Sequence, residues 1–114
     1  RQTVVAKVVG PGNIQEAYAA IMASDRLSID VEYDSISDKK APEKLTMYMV
    51  GRQLLSLSIT PRGSNVGWVF PGRLVGDRLI DVLKTKHLIG HNFIVEVTAL
   101  TWFTGREDFW EVCE

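Results

Sequence analysis

The chain has 114 residues, 46% of them hydrophobic, which suits one compact domain with a modest core, and neither a repeat nor a low-complexity tract divides it. With 13 basic and 14 acidic residues there is no overall field to draw in nucleic acid or an anionic membrane, so any such contact has to be local. The single cysteine, Cys113, excludes an intrachain disulfide and a cysteine-built zinc site, and it favours a reducing compartment such as the cytoplasm.

Thr3 to Val9 is rich in β-branched residues and reads as a strand, ended by Gly10-Pro11-Gly12, with Asn13 placed to cap a helix. Ile14, Ala17, Tyr18, Ile21 and Met22 recur at helical spacing and gather one apolar stripe, which predicts that this helix ends near Ser24-Asp25. Leu27, Ile29, Val31 and Tyr33 then alternate with Ser28, Asp30, Glu32 and Asp34, the pattern of a strand with carboxylates on one face. A polar loop from Ser35 to Lys44, with Pro42, delivers the chain to Leu45–Val50 and Leu54–Thr60, both strand-like. Pro61-Arg62-Gly63-Ser64-Asn65 supplies a turn into a strand at Val66 to Phe70. From Leu74 to Lys84 the apolar positions return to helical spacing, and Leu88-Ile89 gives a short strand. Phe93, Val97, Leu100 and Thr101 share the face of a last helix that Gly105 is placed to stop. With Leu45–Val50 and Leu54–Thr60 taken as one antiparallel stretch, the order β-α-β-β-β-α-β-α predicts an α/β fold, a mixed sheet covered by helices.

Asp30 and Glu32 stand out chemically. On one strand face they are about 6 to 7 Å apart, two residues of about 3.3 Å each. Oxygen ligands converging from a strand end suit Mg²⁺ or Mn²⁺, although an isolated Asp-x-Glu is more often just the solvated face of an edge strand. His87 and His91 are four apart, but on a strand this is not the helical metal-binding arrangement. Arg52, Arg62, Arg73, Arg78, Lys84 and Lys86 are dispersed, as on a solvated surface. No apolar stretch approaches the ~20 residues of a membrane span, so no membrane contact is expected. No basic-then-apolar leader opens the chain, which begins at Arg1 rather than Met. We therefore expect residues 1–114 to form a single domain, or the amino-terminal part of a larger domain or chain.

In this order the pattern resembles the proofreading 3′–5′ exonuclease domain of family A DNA polymerases, and more widely the DEDD exonucleases on the ribonuclease H-like fold. The likeness runs from Thr3 to about Gly105. Its first motif is the strand Leu27-Ser28-Ile29-Asp30-Val31-Glu32, followed by a loop and a strand like Leu55–Ile59. Its second is Gly90-His91-Asn92-Phe93-Ile94-Val95-Glu96, a Gly-His-Asn stretch running into a helix with an acid.

The resemblance implies antiparallel strands followed by βα units, and two divalent ions, Mg²⁺ or Mn²⁺, about 3.5 to 4 Å apart at the cleavage site. Asp30 would bridge both ions and Glu32 would bind the one that activates water. Glu96 would approach the other through water or at its outer shell. Asn92 and Phe93 are candidates to hold the terminal nucleotide by hydrogen bond and stacking; equally, Asn92 caps the helix and Phe93 fills the core. The implied partners are the 3′ end of single-stranded DNA and the rest of a polymerase chain. Two features depart from the family. Glu96 stands where it has Asp, and one methylene moves a carboxylate by about 1.5 Å. The third motif, with its own metal-binding Asp, lies well downstream in the family, and only nine residues follow Gly105 here. Asp108, Glu111 and Glu114 follow the last helix too closely to replace it. These departures predict weak metal binding and slow cleavage by this chain alone, or a noncatalytic ribonuclease H-like scaffold that binds nucleic acid or a protein. A binding domain unrelated to nucleases, with Asp30 and Glu32 as surface residues, is the third reading.

Overall fold

The computed structural model describes residues 3–34 and 51–113. Its elements are β1 (Val5–Val8), α1 (Ile14–Met22), β2 (Arg26–Tyr33), β3 (Leu54–Pro61), β4 (Val66–Pro71), a 3-10 turn Gly72–Leu74, α2 (Asp77–Leu83), β5 (His87–Gly90), α3 (Phe93–Thr104) and a 3-10 segment Glu107–Cys113. Setting aside the 3-10 pieces and the strand predicted at Leu45–Val50, the elements follow the predicted order. The predicted loop Ser35–Lys44 and strand Leu45–Val50 lie outside the described residues.

The five strands form one mixed sheet in the order β1-β4-β3-β2-β5. β1 runs parallel to β4 and β2 parallel to β5, while β3 is antiparallel to both its neighbours. Alternation in β2 does what its sequence requires: Leu27 and Ile29 are buried, while Arg26, Ser28, Asp30 and Glu32 share the open face. The buried face of the sheet, with Leu57, Ile59 and Phe70 alongside, meets Ala17, Tyr18 and Ile21 of α1 and Leu79, Ile80 and Leu83 of α2. Each such Leu or Ile contributes about 1.5 to 3 kcal/mol by leaving water, so this layer is the main source of stability.

Local chemistry shifts two boundaries. Asn13 precedes α1 but does not cap it with its side chain. Its Oδ1 accepts the Gly10 N–H at 2.8 Å and its Nδ2 donates to the Val8 carbonyl at 3.0 Å, so the amide pins the β1-to-α1 turn instead. The helix predicted from Leu74 begins at Asp77 because Val75 and Gly76 are extended. Glycine is costly inside a helix, and Leu74 and Val75 reach the core from the preceding turn. α3 ends where predicted, with Gly105 in the left-handed region at φ 71°. Five consecutive residues of this helix, Glu96 to Leu100, are buried, so it is covered on more than one side.

Candidate active site

The site is made by strands of unequal reach. β5 runs beside β2 in a register that ends at Ile29 opposite Gly90. β2 continues to Asp30 and beyond, whereas the chain after Gly90 turns through His91 and Asn92 into α3. The first turn of α3 therefore lies at the carboxyl end of two parallel strands, where open α/β sheets place their ligands. Tyr33, near the end of β2, has its ring 6.4 Å from that of Phe103, a further tie between strand and helix.

This geometry sets the Glu96 carboxyl beside that of Asp30. Glu96 is 5% exposed, and its Oε1 is buried without a hydrogen-bond partner among the described residues. That oxygen occupies the space over Gly90 where any side chain would begin: a Cβ there would collide with it. Burial pushes the Glu96 pKa up to about 7, and the negative charge of Asp30 adds to the rise. The N–H groups of Asn92 and Val31 oppose the shift without reversing it. Near neutral pH the buried Glu96 carboxyl is thus still partly protonated.

Glu32 lies on the same strand face, two residues further on, and is exposed. The pairing of β2 with β3 becomes irregular immediately after it. Among the described residues no group of three or more His, Cys, Asp or Glu side chains is placed to hold an ion. The structure thus brings Asp30 and Glu96 together and leaves Glu32 outside the pair. Asn92 occupies the cap position of α3, yet its side chain makes no capping bond and is exposed. Phe93 is half-buried and packs against the core. His87 and His91 are exposed.

Asp108 and Glu111 are engaged elsewhere. Lys84 bonds both, at 2.7 and 2.9 Å, and Arg106 bonds Asp108 as well as Asp77 and Asp81. The two cations hold the Asp108 carboxyl well below the usual range. Sequence reasoning left these acids out of the site; it missed that Gly90 is the cradle for Glu96. A glycine directly before the helix turn was the one signal for it, and only the position of α3 gives that signal meaning.

An exposed acid beside a buried one, with an unpartnered oxygen, fits the binding of one divalent ion that displaces the Glu96 proton. The three-carboxylate set for two ions is not assembled by the described residues.

No protein-family model matches the sequence, and no curated protein matches it. Solved structures do. The chain superposes on Trypanosoma brucei RNase D bound to RNA U12 with a TM-score of 0.57 at 14% identity, over 84% of this chain and 32% of that one. For the RNase D–GMP complex the values are 0.58 and 13%, over 88% and 30%. For RNase D crystallised alone they are 0.56 and 13%, over 84% and 33%. The shared feature is the fold, a mixed α/β architecture of the ribonuclease H-like kind. The chain spans about a third of the length of these structures. All three are structures of RNase D, and at this identity the likeness carries the fold of the resemblance, not its exonuclease activity or its DNA-polymerase setting.

Proposed function

We propose that this chain is part of a 3′–5′ exonuclease domain that removes nucleotides from the end of a single-stranded nucleic acid, with the Asp30–Glu96 pair at the cleavage site. The carrying observation is that pair, set at the carboxyl end of two parallel strands in a fold shared with RNase D, a DEDD 3′–5′ exonuclease. A neighbour bound to RNA and another bound to GMP favour RNA as the substrate class. A proofreading role in a polymerase is the finer alternative.

Asp30 and Glu96 would hold a divalent ion, which when bound polarises water and neutralises phosphate charge. Asp30 is the accessible ligand. Glu96 enters only as its proton leaves, so ion binding strengthens as pH rises through about 7. Glu32, exposed on the same open face, would be the next carboxylate available to an ion, and the exposed Asn92 amide would be open to the terminal sugar or base.

The proton on Glu96 and the lack of a third grouped carboxylate among the described residues favour a second reading, a scaffold that keeps the fold and binds without cutting. One experiment separates them. The chain, its Asp30→Ala variant and its Glu96→Asp variant are incubated with 3′-labelled single-stranded RNA and DNA in Mn²⁺, and thermal melting is followed in parallel. The exonuclease reading expects a Mn²⁺-dependent rise in melting temperature that Asp30→Ala removes, with release of the 3′ label. Mn²⁺ stabilisation without release supports the scaffold, and no response to Mn²⁺ sinks the metal site itself.

A further inference from the structure

The open face of the sheet that carries Asp30 at one end carries two arginines at the other. Arg26 begins β2 on the Asp30 face. Arg62 follows β3, and its N–H donates to the Arg26 carbonyl at 2.9 Å, so the two residues are fixed side by side. The turn beyond holds its shape through the Ser64 N–H on the Pro61 carbonyl at 3.0 Å, with Gly63 at φ 81° in the left-handed position of a type II turn.

Both arginines line a recess of about 480 Å³, together with Ser28, Thr60, Ser64 and Ile89. Both also line a second, of about 300 Å³, where Asp25 is the only carboxylate. Two forked guanidiniums among hydroxyls form an anion-binding surface.

Among the described residues the guanidiniums of Arg26 and Arg62 are left unsatisfied; exposed Arg73 is too, but it lines neither recess. Lys84 and Arg106 are paired with carboxylates. Arg52 bonds the Asp34 carbonyl, Lys86 bonds that of Met22, and Arg78 lies over the Tyr18 ring. Neither Arg26 nor Arg62 has a side-chain partner among the described residues. From Arg26 to Asp30 is four strand residues, about 13 Å, along one face. Ser28 lies between them, and Ser58 and Thr60 sit opposite on β3.

We propose that Arg26 and Arg62 bind the phosphodiester backbone of a single-stranded nucleic acid upstream of its 3′ end, while the Asp30–Glu96 end receives the terminus. The assignment rests on the exonuclease reading. The acid pair repels phosphate without a metal, so a cationic anchor some nucleotides away gives the strand its hold and its direction. Arginine contacts to phosphate are indifferent to base, as suits an enzyme that shortens a strand of any sequence.

The test uses the whole chain and 5′-fluorescein oligouridylates in Ca²⁺, one confined to the acid end and one long enough to reach the arginines. Anisotropy gives affinity as a function of salt. The joint substitution of Arg26→Ala and Arg62→Ala is expected to weaken the long probe about tenfold and lower its salt slope by about 1.4, at about 0.7 per phosphate contact on a single strand. The short probe should be unaffected. The joint substitution of Arg26→Lys and Arg62→Lys is expected to keep most of the slope and shows that the surface tolerates change. Equal binding of the long probe by the alanine and unaltered chains overturns the anchor and leaves the exonuclease reading standing. Failure of the unaltered chain to bind either probe overturns both. An oligoglutamate that competes with the long probe at equal charge overturns the nucleic-acid assignment in favour of an acidic protein partner.

Discussion

Glu96 couples burial, charge and function in one side chain. Its pKa in the folded protein, about 7, lies above its ordinary value of 4.5. The unfolded chain therefore gives up this proton first as pH rises, and the folded state is penalised from about pH 4.5 until the proton leaves near pH 7. The full penalty is roughly 3 kcal/mol, large against the 5 to 15 kcal/mol that holds a domain together. Urea unfolding at pH 5 and pH 8 should show the native chain losing most of that amount, and Glu96→Gln losing little; a native curve as flat as the variant's would show that Glu96 is not buried as described. Gly90 offers a steric counterpart. Gly90→Ala is expected to cost about 1 to 3 kcal/mol by forcing the carboxyl aside. Adding Glu96→Asp should recover most of it, because the shorter side chain vacates the space a Cβ needs. A double-mutant cycle measures this, and additive losses would contradict the contact. None of this was legible in sequence. Asp30 shows itself through strand alternation; Glu96 falls three residues after Phe93 and four before Leu100, on the apolar stripe, but a lone acid is not expected to be buried there, and only the motif resemblance marked it.

Elements were legible to the extent that each buries one face. β2 and α1 alternate between core and solvent at their own periods, and their sequences say so. α3 does not: Glu96 to Leu100 are all buried, so the sheet lies on one side and the returning 3-10 segment helps cover another. That return was missed because its anchors are contacts between distant residues. Phe109 is fully buried in the core, while Arg106 and Lys84 join the segment to α2 by ion pairs. The apolar anchor should dominate, since partly exposed ion pairs are screened by water and salt. Phe109→Ala is expected to lower stability by about 3 to 5 kcal/mol. Arg106→Gln should cost less, and its cost should shrink in high salt. Thermal melts at two salt concentrations decide the order, and a greater loss from Arg106→Gln would mean that the charges hold this segment.

At the scale of the molecule, the sheet is anchored unevenly. β2 and β3 face the helices through Leu27, Ile29, Leu57 and Ile59, all buried, and β3 is paired on both sides. β1, at the far edge, has every residue exposed, with Val5 at 51% and Val8 at 66%. It is joined to the rest through β4 and the Asn13-pinned turn. Apolar exposure of this kind on an edge strand invites pairing, and Lys7 in its middle, over the ring of Trp68, is the sort of charge that discourages it. The candidate site depends on β2 and β5, not on β1, so the two ends of the sheet should open independently. Native-state hydrogen exchange should find the slowest amides in β2 and β3, with opening free energies near that of global unfolding. Those of β1 should be released at far lower cost. The β2 amides around Asp30 should stay protected while β1 exchanges. If β1 proves as protected as β3, some further contact covers it, and the sheet opens as one unit rather than from its edge inward.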